Sequence, residues 1–190
     1  MSKSHHATRL NMQAFAREGA PLIETTSLQN MERLTQEAQA LAPDSMVNWQ
    51  ARAELRPGSG AEDNVWLHLV ATTSVPLTCQ RCMGTVDTAL KVDQWYRFVA
   101  TEEIAMAEDD ESEEDLLVME PQFDLLAVLE DELLMALPLV PMHDQCPVAP
   151  VMQAGEHTLA EGNSEKGEEG PSGEKPHPFA VLAQLKKKSE

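Results

Sequence analysis

Aromatic residues are scarce in this chain: one Tyr, three Trp and four Phe among 190 residues. A large ring-built core is excluded, and because Gly, Pro, Ser and Glu gather late, the folded part should be shorter than the chain. Cysteine is rarer still. Three Cys, an odd number behind a polar start at residues 1–6, argue against a disulfide framework and for a reducing compartment. No apolar run approaches the roughly eighteen residues of a spanning helix, so a soluble, cytoplasmic protein with no membrane partner is expected. Positive charge is missing from one long region. Between Arg97 and Lys166 there is no Lys or Arg, while eighteen of the thirty-two Asp and Glu fall there. The remainder is neutral, so the net charge of −18 belongs to that region. Such a region cannot neutralise phosphates, which speaks against non-specific nucleic-acid binding through the body of the protein. It favours a basic partner, because complementary potentials speed and orient encounter.

The pattern that is present is mostly strand. Val47, Trp49, Ala51, Ala53 and Leu55 alternate with polar residues, as a half-buried strand requires. Turn residues at 57–60 follow, and Val65, Leu67, Leu69, Ala71, Thr73, Val75 and Leu77 run back along one face. Val86, Thr88, Leu90, Val92, Tyr96 and Phe98 alternate again, which predicts an antiparallel β-meander. Trp49, Trp66 and Trp95 could form a base-stacking platform, but the register puts Trp49 on an apolar face and the other two on opposite faces. Either a helix covers that second face, or Trp66 and Trp95 are partly exposed.

Helical signals flank the strands. Asn11 can cap, and Gly19 end, a short helix, while residues 21–26 read as extended at most. Leu28, Met31, Leu34, Ala38 and Leu41 predict a second helix from Ser27 to Pro43. The acidic stretch 102–115 reads as a solvated, self-repelling loop; a magnesium site or a dock for a basic protein is the functional alternative. A short strand is expected at residues 116–119. Asp124 then caps the strongest helix, residues 125–137, which is apolar on more than one side and ends at Pro138. Glu130, Asp131 and Glu132 spread over some 200° of that helix, too far to converge on one substrate, and read as structural or interaction residues.

Two cysteines stand in Cys79-Gln80-Arg81-Cys82, at the tip between two strands. A Cys-x-x-Cys turn supplies half of a zinc site; the other half would come from His143 and Cys146. Otherwise Cys79 and Cys82 are small thiols in a turn and His143 is a surface or hydrogen-bonded histidine.

Leu77 to Cys82, the helix with its Leu-Pro-Leu-Val-Pro ending, His143, and Pro178-Phe179-Ala180-Val181-Leu182 near the C-terminus together resemble the YceD family. The resemblance implies a large ribosomal RNA subunit accumulation protein, with a role in synthesis, processing or stability of 23S rRNA. It supplies no catalytic residues. Additional cysteines in some members suggest a closed zinc site, which here would be Cys79, Cys82, His143 and Cys146.

The expectation is an α+β domain at residues 1–148, an antiparallel meander packed by one long apolar helix and short N-terminal helices, with an acidic loop at about 102–115. A disordered acidic linker is expected at 149–176. A short amphipathic basic motif is expected at 177–190, with Phe179, Leu182 and Leu185 on one side and Lys186, Lys187 and Lys188 after them. The function expected is a non-enzymatic ribosome-biogenesis factor acting through a basic ribosomal protein or an rRNA-maturation factor. One alternative is direct, weak rRNA contact by Arg81 at the Cys tip and by the terminal lysines. The other is a metal-dependent RNA-processing enzyme using acids of the 102–132 region. These residues fix no cofactor; a structural zinc is the one candidate, and the oligomeric state stays open.

Overall fold

Alternating burial along three long strands sets the architecture. The computed structural model describes residues 6–58 and 63–148. In β2 (Met46–Pro57), Val47, Trp49, Ala51 and Ala53 are buried while Asn48, Gln50 and Arg52 are exposed. β3 (Asp63–Thr78) and β4 (Thr85–Val99) repeat the pattern through Val65, Leu67, Leu69 and Ala71 and through Leu90, Val92, Tyr96 and Phe98. Period two gives each strand one apolar face, and those faces join into one side of a sheet. The sheet has five strands in the order β1-β2-β3-β4-β5.

The first three pairings are antiparallel and the last is parallel. The sheet is therefore mixed, not the purely antiparallel meander expected from the alternation. Two segments account for the difference. Residues read as extended at most form the edge strand β1 (Leu22–Ser27), paired with β2. β5 (Asp115–Val118) runs parallel to β4, because a helical crossover separates the two and returns the chain in the same direction. Pro76 lies inside β3, beyond the last residue paired with β2, so its missing N–H leaves no ladder position empty. Its carbonyl accepts from the Gln39 N–H at 2.7 Å.

Helices cover the apolar side. α1 (Met12–Glu18) is capped as its sequence predicts: the Ala14 N–H donates to Asn11 Oδ1 at 2.8 Å, and Gly19 ends it at φ 65°. The single helix expected from Ser27 to Pro43 is instead a 3-10 turn at Leu28–Asn30 followed by the short α2 (Glu32–Glu37). Leu28, Met31 and Leu34 are all buried nonetheless. Their spacing of three suits a 3-10 turn as well as a helix, so the apolar stripe survives the break. α2 has no side-chain cap of its own. Glu130 supplies one from another helix, accepting from the Arg33 N–H at 2.7 Å and the Leu34 N–H at 3.2 Å. The Arg33 guanidinium also pairs with Glu130 and Asp131.

The acidic stretch is not a loop throughout. It forms α3 (Glu102–Glu108), capped by Thr101, and a 3-10 turn at Asp109–Glu111. Acids in a first turn favour a helix N-terminus, and Arg97 offsets the repulsion that predicted mobility. Its guanidinium binds Glu108 at 2.8 Å, Ser112 at 2.8 Å and Glu114 at 2.5 Å.

α4 (Leu125–Met135) begins at Asp124, whose Oδ1 accepts from the N–H groups of Leu126 and Ala127 at 3.0 and 3.1 Å. It stops two residues short of the expected Leu137. Leu125, Leu129 and Leu133 are buried, with Leu126, Val128 and Leu134 partly so. A two-way backbone bridge between Leu10 and Phe123, 2.9 Å each way, anchors the start of α4 to the N-terminal segment. Among the described residues no helix is long and apolar enough to cross a membrane. The linker expected at 149–176 and the basic motif at 177–190 lie outside the described residues.

Candidate metal centre

The turn between β3 and β4 is closed by its own backbone. The Cys79 N–H donates to the Gly84 carbonyl at 2.8 Å, and the Met83 N–H to the Cys79 carbonyl at 2.9 Å. Met83 reverses the chain at φ 60°, a left-handed conformation that side chains with a Cβ seldom adopt. The segment leaving α4 is tied to this turn: the Gln80 N–H donates to the Pro141 carbonyl at 2.9 Å. The two halves of the expected site therefore meet.

The ligand atoms of Cys79, Cys82, His143 and Cys146 all lie within 4.8 Å of one another. Cys79 is fully buried and the other three are partly buried. Tetrahedral corners around zinc, at about 2.3 Å for sulfur and 2.0–2.1 Å for nitrogen, are roughly 3.5–3.8 Å apart. Cys82 Sγ and His143 Nδ1 are already 3.4 Å apart, and the cluster is of a size that one ion could draw together.

The histidine is oriented for this role. His143 Nε2 lies 2.9 Å from the Thr85 carbonyl. A carbonyl can only accept, so Nε2 carries a proton, and in the neutral ring Nδ1 presents its lone pair to the sulfurs. Such an outer hydrogen bond commonly fixes the tautomer of a metal-binding histidine. The Thr85 hydroxyl in turn donates to Gln39 Oε1 at 2.7 Å.

Burial alone would push the Cys79 thiol up. The backbone N–H groups of Cys82, His143 and Arg81, with the His143 side chain, outweigh it and bring Cys79 down to about 5. Cys146 moves the other way, raised by burial and by the neighbouring sulfurs of Cys82 and Cys79. One thiolate is thus favoured and its charge opposes the next, an opposition that a divalent cation would remove. Three thiols and one imidazole fit zinc and leave no open coordination position.

The remaining candidates fall elsewhere. Arg81 is exposed on the turn, with Nη2 3.8 Å from Met142 Sδ. Phe179, Leu182, Leu185, Lys186, Lys187 and Lys188 lie outside the described residues. Trp49 is buried, with its Nε1–H donating to Thr26 at 2.9 Å. On the other face of the sheet His68 stacks on Trp95 at 4.3 Å, and the Arg56 guanidinium lies 4.1 Å from the Trp95 centroid. Those contacts already pack the Trp95 ring, so the three tryptophans form no joint platform. Sequence reasoning missed Thr85 and Gln39 behind the histidine; a threonine opening a strand carries no metal signal.

A family model described as "Large ribosomal RNA subunit accumulation protein YceD" matches residues 67–186. A curated protein named Large ribosomal RNA subunit accumulation protein YceD, from Haemophilus influenzae, is 37% identical over 123 residues. The aligned part is 60% of this chain and 61% of that relative, so the chain spans about three fifths of the relative's length. No solved structure matches.

Proposed function

The chain belongs to the YceD family, and on that premise we propose that it is a non-enzymatic, cytoplasmic factor required for 23S rRNA to accumulate. The observation that carries this reading is the family match, which spans the Cys/His cluster and α4. The factor acts through protein contacts, with a basic ribosomal protein or an rRNA-maturation factor as partner. Its acidic region provides the attraction. Cys79, Cys82, His143 Nδ1 and Cys146 would hold a structural zinc, which would tie the β3–β4 turn to the segment after α4.

The state of the acids favours this over an RNA-processing enzyme. Glu130 and Asp131 are engaged by Arg33, and Glu108 and Glu114 by Arg97. Carboxylates committed to arginines are poor first ligands for catalytic magnesium.

The test compares 23S rRNA and ribosomal subunit profiles with and without the protein. Rescue is attempted with the full chain, with a chain lacking residues 179–190, and with Cys79→Ser/Cys82→Ser. Loss of 23S rRNA that the full chain restores is the expected result. Unchanged rRNA in a clean deletion would sink the proposal.

A further inference from the structure

Met83, Leu139, Val140 and Met142 are exposed large apolar residues, and all four lie on the two segments that carry the Cys/His cluster. Leu139 is 101% exposed. Beside them runs a groove of about 500 Å³ lined by Val86, Pro138, Val140 and Met142, and also by Asp87 and Asp144.

This lip is held in place. The Gln80–Pro141 bond fixes its backbone to the turn, and the His143 N–H meets Cys79 Sγ at 3.4 Å. Pro138 and Pro141 restrict their own φ. A pinned backbone thus keeps in water the side chains that apolar collapse would otherwise cover, the usual mark of a surface that meets something else. Methionines at its border adapt to partners of varied shape.

We propose that the groove and lip dock an apolar segment flanked by Lys or Arg on a basic protein. The inference rests on the reading that this protein acts through such a partner, and it says where the partner binds. Charge decides the occupant. Asp87 and Asp144 are exposed in the groove, and no Lys or Arg follows in the chain from Arg97 until Lys166. Among the described residues Arg81 is the one Lys or Arg lining the groove, and its Nη2 turns to the Met142 sulfur. A nucleic-acid backbone would meet two carboxylates for each guanidinium here, which disfavours it. A lysine-flanked apolar peptide meets apolar walls and opposite charge together.

The test measures fluorescence anisotropy on the full chain with three labelled probes. These are a synthetic amphipathic peptide of Leu and Lys, the same peptide with Glu in place of Lys, and a single-stranded RNA oligonucleotide. The Lys peptide should bind, and Leu139→Ser/Val140→Ser should weaken it by about tenfold. Asp87→Asn/Asp144→Asn should weaken it by about threefold and flatten its salt dependence. Ile23→Ser removes an exposed apolar side chain on β1 and should change nothing. All these side chains are exposed, so melting temperatures should stay put and binding losses cannot be blamed on unfolding.

Equal binding to the Leu139→Ser/Val140→Ser variant would overturn the inference, since the attraction would then be general acidity. Binding of RNA in place of peptide, weakened by the same variant, would overturn it in favour of nucleic acid. A rescue experiment separates this inference from the proposed function. If deletion depletes 23S rRNA but Leu139→Ser/Val140→Ser rescues fully, the groove inference falls and the role stands. If deletion leaves 23S rRNA unchanged, the role falls, whatever the peptide does.

Discussion

His143 and Thr85 are joined by a bond that decides the chemistry of the cluster: the ring Nε2–H donates to the Thr85 carbonyl at 2.9 Å. In the neutral ring Nδ1 then faces the Cys82 sulfur, 3.4 Å away. Purified protein should therefore carry a single bound zinc ion, read by elemental analysis. Removing it with a chelator should lower the melting temperature by about 5 °C or more. Cys82→Ser should lose both the metal and the chelator effect. An unchanged melting curve after chelation would leave the four residues without a structural ion.

The metal-free chain should show a definite pH dependence. Folding lowers the Cys79 thiol from 9.0 to about 5. The folded state then favours the thiolate, so its contribution is fully present above the unfolded value and is lost as pH falls through about 5. Urea midpoints of the chelated protein should rise with pH across that window, and Cys79→Ala should flatten the rise. A slope that Cys79→Ala leaves unchanged would assign it to other groups.

Arg97 holds the acidic segment in shape. Its side chain is 14% exposed and meets Glu108, Ser112 and Glu114. Arg97→Ala leaves two carboxylates facing each other across the lost guanidinium and should cost about 2 kcal/mol. Proteolysis should then cut first within residues 102–114. A cleavage pattern identical to that of the unaltered chain would show that the segment is held by other contacts.

Tyr96 invites the opposite kind of substitution. Its hydroxyl is buried and makes no hydrogen bond of 3.5 Å or less among the described residues, with the Glu132 carboxylate as a longer-range partner. Burial, with the nearby Glu132 carboxylate, pushes the phenol well above its ordinary range. Tyr96→Phe removes a desolvated donor and keeps the ring, so it should be neutral or stabilise by up to about 1 kcal/mol. Destabilisation in a urea melt would mean that the contact with Glu132 outweighs the desolvation of the hydroxyl.

What was legible in the sequence follows from periodicity. Strict alternation in β2, β3 and β4 admits one structure, and Asn11, Gly19 and Asp124 mark their helix ends through chemistry local to each. A spacing of three at Leu28, Met31 and Leu34 does not separate a 3-10 turn from a helix. The cap of α2 comes from Glu130, about a hundred residues away, where local reasoning cannot see it. The acidic stretch was misread for a similar reason, because Arg97 precedes it and reaches it through the fold. The Cys/His cluster was legible as two halves. What joins them is the Gln80–Pro141 bond and the Thr85 carbonyl, both backbone features with no residue signature.

Met83 sits in a left-handed conformation between the two cysteines and β4. From that tight reversal the chain passes through β4, α3, β5 and α4 before His143 brings it back beside Cys82, 61 residues on. Everything between is a closed noose whose knot is the Cys/His cluster. The lip that meets solvent lies on the knot itself, so a partner seated there would touch both ends of the loop at once.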